Sequence, residues 1–191
     1  MERSSAGTVV LSTDQKEDAG WAMSETMVRA EALDKIWSLI KQARSALLVT
    51  VAKDGSLDSR PMGCVQHAFD GRLWFLAFAG SPKMTEIEGN NHVLVAYSRP
   101  SEFEYVSLSG RGRILEDRRQ VKELWSEAFR VWFPAGPDDP ELRLISVDVD
   151  EARYWTQAAS VVTYATAYIK ARLLGRRATA DEVAEVGSVR L

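Results

Sequence analysis

Residues 46–79 read ALLVTVAKDGSLDSRPMGCVQHAFDGRLWFLAFA. The segment ALLVTVA (46–52) is β-branched and apolar, as a buried strand requires. Asp54-Gly55 follows it, and Asp-Gly marks a hairpin because the tight turn needs positive φ. LDSRPMGCVQH (57–67) is the expected return strand. Pro61 lacks a backbone donor, so this strand has to lie at an edge, a bulge or a ligand-facing position. FDGR (69–72) supplies a second Asp-Gly turn, and LWFLAFA (73–79) is the third strand. The expectation is a three-stranded antiparallel meander in which 57–67 pairs with 73–79.

The pattern changes on both sides of this block. Before it, Met27, Ala30, Leu33, Ile36, Trp37 and Ile40 recur at spacings of three and four, which predicts an amphipathic helix from Ser24 to about Arg44. After it come a short helix at 82–89, a strand at 92–98 and a long strand at 103–116. Gly110 and Gly112 in that long strand predict bending. A helix is expected at 117–129, an irregular loop at 131–142, a strand at 142–155 and a helix at 159–175. Consecutive, hairpin-linked strands with helices at the corners predict a mainly β fold, an antiparallel barrel with flanking helices. The organisation expected is a flexible N-terminal tail (1–23), one domain (24–175) and a polar C-terminal tail (176–191). No strand–GxGxxG–helix unit is present, so a dinucleotide-binding sheet is excluded.

Composition narrows the function. The 191 residues carry a formal net charge of −3, which argues against a general nucleic-acid binder. No apolar run approaches a membrane span, and the first twenty residues lack the apolar stretch of a secretory signal. A cytoplasmic protein is expected. The single cysteine, Cys64, excludes an internal disulfide and reads as a small core residue. His67 and His92 are the only histidines and have no metal-ligand spacing, so no metal site is expected. No carboxylate pair is placed for acid–base work, and no catalytic residue is assigned.

The chemistry concentrates at LAFAGSPKMTEIEGNN (76–91). Ser81 and Pro82 suit an ordinary helix start, as N-cap and first helical residue. Lys83 in the first turn opposes the helix dipole by ~0.3–1 kcal/mol, and a bound anion would reverse that penalty. If the 57–67 and 73–79 strands pair, Arg60 falls opposite Ala79 or Gly80. Arg60, Ser81 and Lys83 would then converge, a combination suited to a phosphate monoester. Trp74, Phe75, Trp132, Phe133, Tyr154 and Trp155 are core or interface candidates that together also suit a flat, phosphorylated cofactor.

Four segments carry a family resemblance: SRPMG (59–63), LWFLAFAGSPKMTEIEGNNHVLVAY (73–97), YVSLSGRGRILED (105–117) and LWSEAFRVWFPAGPDDPELRLISVDVDEARYW (124–155). In order and spacing they resemble the pyridoxamine 5′-phosphate oxidase-like superfamily, and within it the bacterial general stress proteins. The resemblance covers residues from about 30 to 175. It implies an FMN-binding split barrel, a homodimer with the flavin at the subunit interface. It implies that Arg60, Ser81 and Lys83 bind the flavin phosphate. The backbone of Pro61, Met62, Phe75 and Leu76 would line the ring, and the partner subunit would add Trp132 and Trp155. The basic, His-containing segment that follows the Trp in true pyridoxamine phosphate oxidases is absent here, so vitamin B6 synthesis is not expected. The function implied is a flavin-dependent oxidoreductase, with a non-catalytic flavin sensor or store, or a deazaflavin or haem-type ligand binder, as alternatives.

Overall fold

The computed structural model describes residues 29–43, 45–157 and 184–191. The expected N-terminal tail and the expected helix at 159–175 lie outside them. Helix α1 (29–40) turns Ile36, Leu39 and Ile40 into the core, the apolar stripe that its sequence carries.

Seven strands build one antiparallel sheet: β1 (Ser45–Val51), β2 (Leu57–Gly63), β3 (Arg72–Phe78), β4 (His92–Arg99), β5 (Glu104–Leu115), β6 (Leu142–Gln157) and β7 (Ala184–Arg190). Their order is β2-β1-β4-β5-β6-β3, with β7 also paired to β6. β1 and β2 form the expected hairpin, with Val51 opposite Leu57 and Gly55 at φ 85°. Gly71 takes φ 103° at the second Asp-Gly pair, as the turn requires.

The second hairpin does not form. β2 and β3 are the two ends of the strand path, and β3 runs along β6, with Arg72 opposite Asp148 and Phe78 opposite Leu142. The Gly71 carbonyl accepts from the Val149 N–H at 2.9 Å, which starts β3 on β6. The residues after Gly63 leave the extended ladder, so the turn at 70–71 has no paired strand to return against. Arg60 is therefore not opposite Ala79 or Gly80. The barrel remains split between the edges of β2 and β3.

Pro61 sits on the free edge of β2. Ala52 N–H bonds the Ser56 carbonyl, and in an antiparallel ladder hydrogen-bonded pairs alternate. Arg60 and Met62, opposite Leu48 and Ala46, are then the bonded residues. The Pro61 nitrogen faces away from β1, and the ladder loses no bond.

The barrel interior is filled by side chains of α1, β1, β3, β4, β5 and β6, with Phe75, Leu48, Leu108 and Ile145 fully buried. α2 (Pro82–Gly89) crosses from β3 to β4 and adds Met84 and Ile87. The β5–β6 ladder carries a bulge beside Ser109 and Gly110, and its extra residue is Asp150 of β6, facing the glycine-containing stretch for which the sequence predicts bending of β5. A second cluster lies on the other face of β3 and β6. There Leu76, Leu142 and Leu144 meet Val121 and Leu124 of α3 (Arg118–Leu124) and Phe133. The sequence favours a longer helix at 117–129, but α3 stops at Leu124 and a 3₁₀ turn over Glu127–Val131 follows.

Part of the expected polar tail is structural. β7 pairs with β6 from Arg190 opposite Glu151 to Ala184 opposite Gln157, and Val189 and Leu191 pack on the core. Gly187 permits this, because a Cβ there would stand 2.3 Å from the Tyr154 ring. Among the described residues no helix is long and apolar enough to cross a membrane.

Candidate functional site

A cavity of about 550 Å³ opens at the split. Pro61, Met62 and Gly63 of β2 line one side, and Leu76, Ala77 and Phe78 of β3 the other. Ser81 and Lys83, at the start of α2, contribute the polar part of the lining. Phe129, Trp132 and Phe133 form an aromatic wall, with Phe78 and Phe133 ring centroids 4.9 Å apart. Cys64 and Val65 complete the β2 side.

The edges leave backbone groups for a ligand. Gln66 closes the first half of the β3 edge: its side-chain amide donates to the Arg72 carbonyl and accepts from the Trp74 N–H, both at 3.0 Å. By the alternation of an antiparallel strand, Leu76 and Phe78 point their backbone toward the same free side, where Ser81 already takes the Phe78 carbonyl. Gln66 does not reach them, and there the cavity begins.

Ser81 holds the N-cap position, as an ordinary helix start predicts, but its hydroxyl does not cap. It donates to the Phe78 carbonyl at 2.7 Å, and no acidic residue lies in the first turn. At the helix start Pro82 has no N–H and the Met84 N–H bonds the Ser81 carbonyl at 2.9 Å, so the Lys83 N–H is the donor left beside the Lys83 ammonium. Burial, and then the Arg60 charge, hold the Lys83 pKa below its ordinary value, with Glu86 acting in the opposite sense. Lys83 makes no ion pair among the described residues, whereas Arg60 is heavily engaged. Arg60 donates to Glu86 at 2.7 Å, to Asp58 at 2.8 Å and to the Thr50 hydroxyl at 2.5 Å. Thr50 in turn donates to Glu86 at 2.5 Å. The fork expected to grip a phosphate is held by two carboxylates.

Of the nine residues singled out from the sequence, Pro61, Met62, Leu76, Ser81, Lys83 and Trp132 meet at this cavity. Trp132 lines the cavity of its own chain. Arg60 stands behind Lys83, outside the lining. Phe75, its backbone expected to line the ring, is absent from the cavity: its side chain is fully buried in the barrel interior, and the ladder alternation turns its backbone to Ile145 of β6. Trp155 lies opposite Tyr105 at the far end of β5 and β6 and does not line the cavity. The sequence reading missed Gln66, Thr50 and Glu86. The first two act through long-range contacts that leave no local pattern. Glu86 carried a signal, since it lies one helical turn after Lys83 on the same face. Among the described residues no group of three His, Cys, Asp or Glu could hold a metal.

The family described as pyridoxamine 5′-phosphate oxidase like matches residues 31–179. The chain belongs to this family. Its likeness to the general stress branch, visible in the sequence, extends to solved structures. The general stress FMN/FAD binding protein of Xanthomonas citri is 27% identical with a TM-score of 0.60, over 69% of this chain and 93% of that one. General Stress Protein 26 of Bacillus anthracis str. Sterne is 28% identical with a TM-score of 0.55, over 61% and 88%. Protein bli-3 of Neurospora crassa is 24% identical, over 71% of this chain and 69% of its own. The split between β2 and β3 is thus the split of a pyridoxamine phosphate oxidase-like barrel.

Proposed function

We propose that this family member binds FMN as a homodimer and acts as a flavin-dependent oxidoreductase on a small molecule. The observation that carries the reading is the cavity between the β2 and β3 edges, with Lys83 and Ser81 at its polar end. Its volume suits a cofactor, for which pockets run about 300–1,000 Å³. Ser81 and the ammonium and backbone N–H of Lys83 would hold the phosphate, with Arg60 adding its field from behind. Pro61, Met62 and Leu76 would flank the ring, and Trp132 and Phe133 would exclude water. The similar Xanthomonas citri protein is described as FMN/FAD binding. Bound FMN supplies the hydride chemistry, and the protein supplies orientation and electrostatics.

The dimer is supported by the outer face of β1 and β4. Leu47 lies opposite Ala96 and Val49 opposite Leu94, and both leucines are exposed. Pro61, beside Leu47 in the next strand, joins this apolar face to the cavity mouth. A second copy on this face would sit at the mouth, and Trp155, in the same outward row as Tyr105, is the residue proposed to reach a partner's cavity.

A second reading, a flavin carrier or sensor without turnover, is favoured by one feature. Among the described residues, Cys64 and Lys83 are the titratable groups in the lining, and neither is placed as an acid or base. Purified protein mixed with excess FMN and desalted should keep visible flavin absorbance, and its loss on the column would defeat both readings. Reduction of the bound flavin by NADH or NADPH above the rate for free FMN separates enzyme from carrier.

A further inference from the structure

The ion cluster behind Lys83 contains one group that the cofactor reading leaves unused. Glu86 Oε2 accepts from the Arg60 guanidinium and from the Thr50 hydroxyl, and the same hydroxyl accepts from Arg60. The three side chains close a triangle. Thr50 is buried, and the Arg60 and Glu86 side chains are only 18% and 11% exposed. One Arg60 terminal nitrogen spends its protons on Glu86 and Asp58, and the other spends one on Thr50. The donors that remain cannot offer a phosphate the paired fork of an unengaged arginine.

The charges around Glu86 are few. β1 brings Thr50, β2 brings Arg60 and Asp58, and α2 brings Lys83. β5, packed against α2, presents Gly112 to Ile87, while its Arg111 and Arg113 turn to Asp150 and Asp148. Glu86 is therefore the low-exposure negative charge next to both cations of the anion subsite.

We propose that Glu86 is a resident counter-anion that limits the affinity of this subsite for phosphate, in proportion to the negative charge of the ligand. The choice of flavin as ligand rests on the reading above; the effect on an anion does not. A ligand dianion feels the Glu86 charge twice as strongly as a monoanion, and a neutral ligand does not feel it. The device keeps a phosphorylated ligand exchangeable where two uncompensated cations would retain it.

The test compares wild type with Glu86→Gln, which keeps an acceptor for Arg60 and Thr50 and removes the charge. Dissociation constants are measured for FMN, FAD and riboflavin. For Glu86→Gln, FMN tightens by about tenfold, FAD by less because its two charges are divided between two phosphoryl groups and the one at the subsite is a monoanion, and riboflavin is unmoved. Asp58→Asn moves FMN in the same direction by less, because Asp58 is more exposed and screened. In parallel, inorganic phosphate is titrated against the amide NMR signals of Ser81 and Lys83, and the Glu86→Gln signals respond at lower phosphate. Weaker FMN binding, an equal change for all three flavins, or no change in the phosphate titration would overturn the proposal. Wild-type protein that ignores every flavin but follows the phosphate pattern would remove the flavin reading and leave Glu86 standing.

Discussion

The Gln66 side-chain carbonyl accepts the Trp74 N–H at 3.0 Å, doing for β3 what a neighbouring strand would do. Its amide nitrogen serves the Arg72 carbonyl at the same distance. Gln66 is buried, so its removal strands two backbone groups at a place water reaches poorly. Gln66→Leu should cost about 2–3 kcal/mol, since a buried unsatisfied polar group costs roughly 1–3 kcal/mol. Urea unfolding with an unchanged m-value is the measurement. A cost near zero would mean that the Gln66 amide does not close the β3 edge.

Gly110 admits the close approach of β6 beside its bulge at Asp150. A Cβ there would stand 2.2 Å from the Asp148 carbonyl oxygen and 2.9 Å from the Val149 Cα, backbone atoms that cannot swing aside. Gly110→Ala should destabilise by about 2–3 kcal/mol or prevent folding, at or beyond the usual range for overpacking. Gly80→Ala is the control: nothing lies within 4 Å of its added Cβ, and the change should stay within about 0.5 kcal/mol. Thermal unfolding of the two variants side by side separates a steric effect from a general loss of glycine freedom.

With Lys83 as the proposed phosphate ligand, binding of a phosphorylated flavin should depend on pH. Burial and the Arg60 charge hold its pKa below 10.5 in the folded protein. The ratio of FMN to riboflavin affinity should therefore fall as pH rises through that lowered value, beginning below 10.5. In the same window the folded state binds fewer protons than the unfolded state, so the ligand-free protein gains stability from this group as pH rises. Lys83→Met should remove both trends and weaken FMN by about 1–3 kcal/mol, the scale of a hydrogen bond to a charged group. Fluorescence titration of both flavins between neutral and alkaline pH checks the sign.

Cys64 reports on occupancy of the cavity. Its thiol lines the cavity, and burial holds its pKa above 9.0. Iodoacetamide at pH 8 should modify it at least about tenfold more slowly than an exposed thiol, because the thiolate is the nucleophile. Saturating FMN should slow the reaction further, and riboflavin should do the same at higher concentration. Intact-mass measurement over time gives both rates; FMN that fails to protect Cys64 would place the flavin elsewhere.

The local elements were legible because their causes are local. Apolar runs marked β1, β3 and β4, and Asp54-Gly55 fixed the first hairpin through its positive φ. The family segments were legible as a resemblance, and Ser81 and Pro82 marked the start of α2. Tertiary structure alone decided that β3 leaves β2 and pairs with β6, because an Asp-Gly turn permits a reversal without choosing the strand that receives it. It also decided that Arg60 is shared with Glu86 and Thr50, that Phe75 faces inward, and that Ala184–Arg190 adds a strand to β6. Each of these depends on partners tens of residues away. Sequence periodicity records which face a side chain takes; it does not record which distant group will be waiting there.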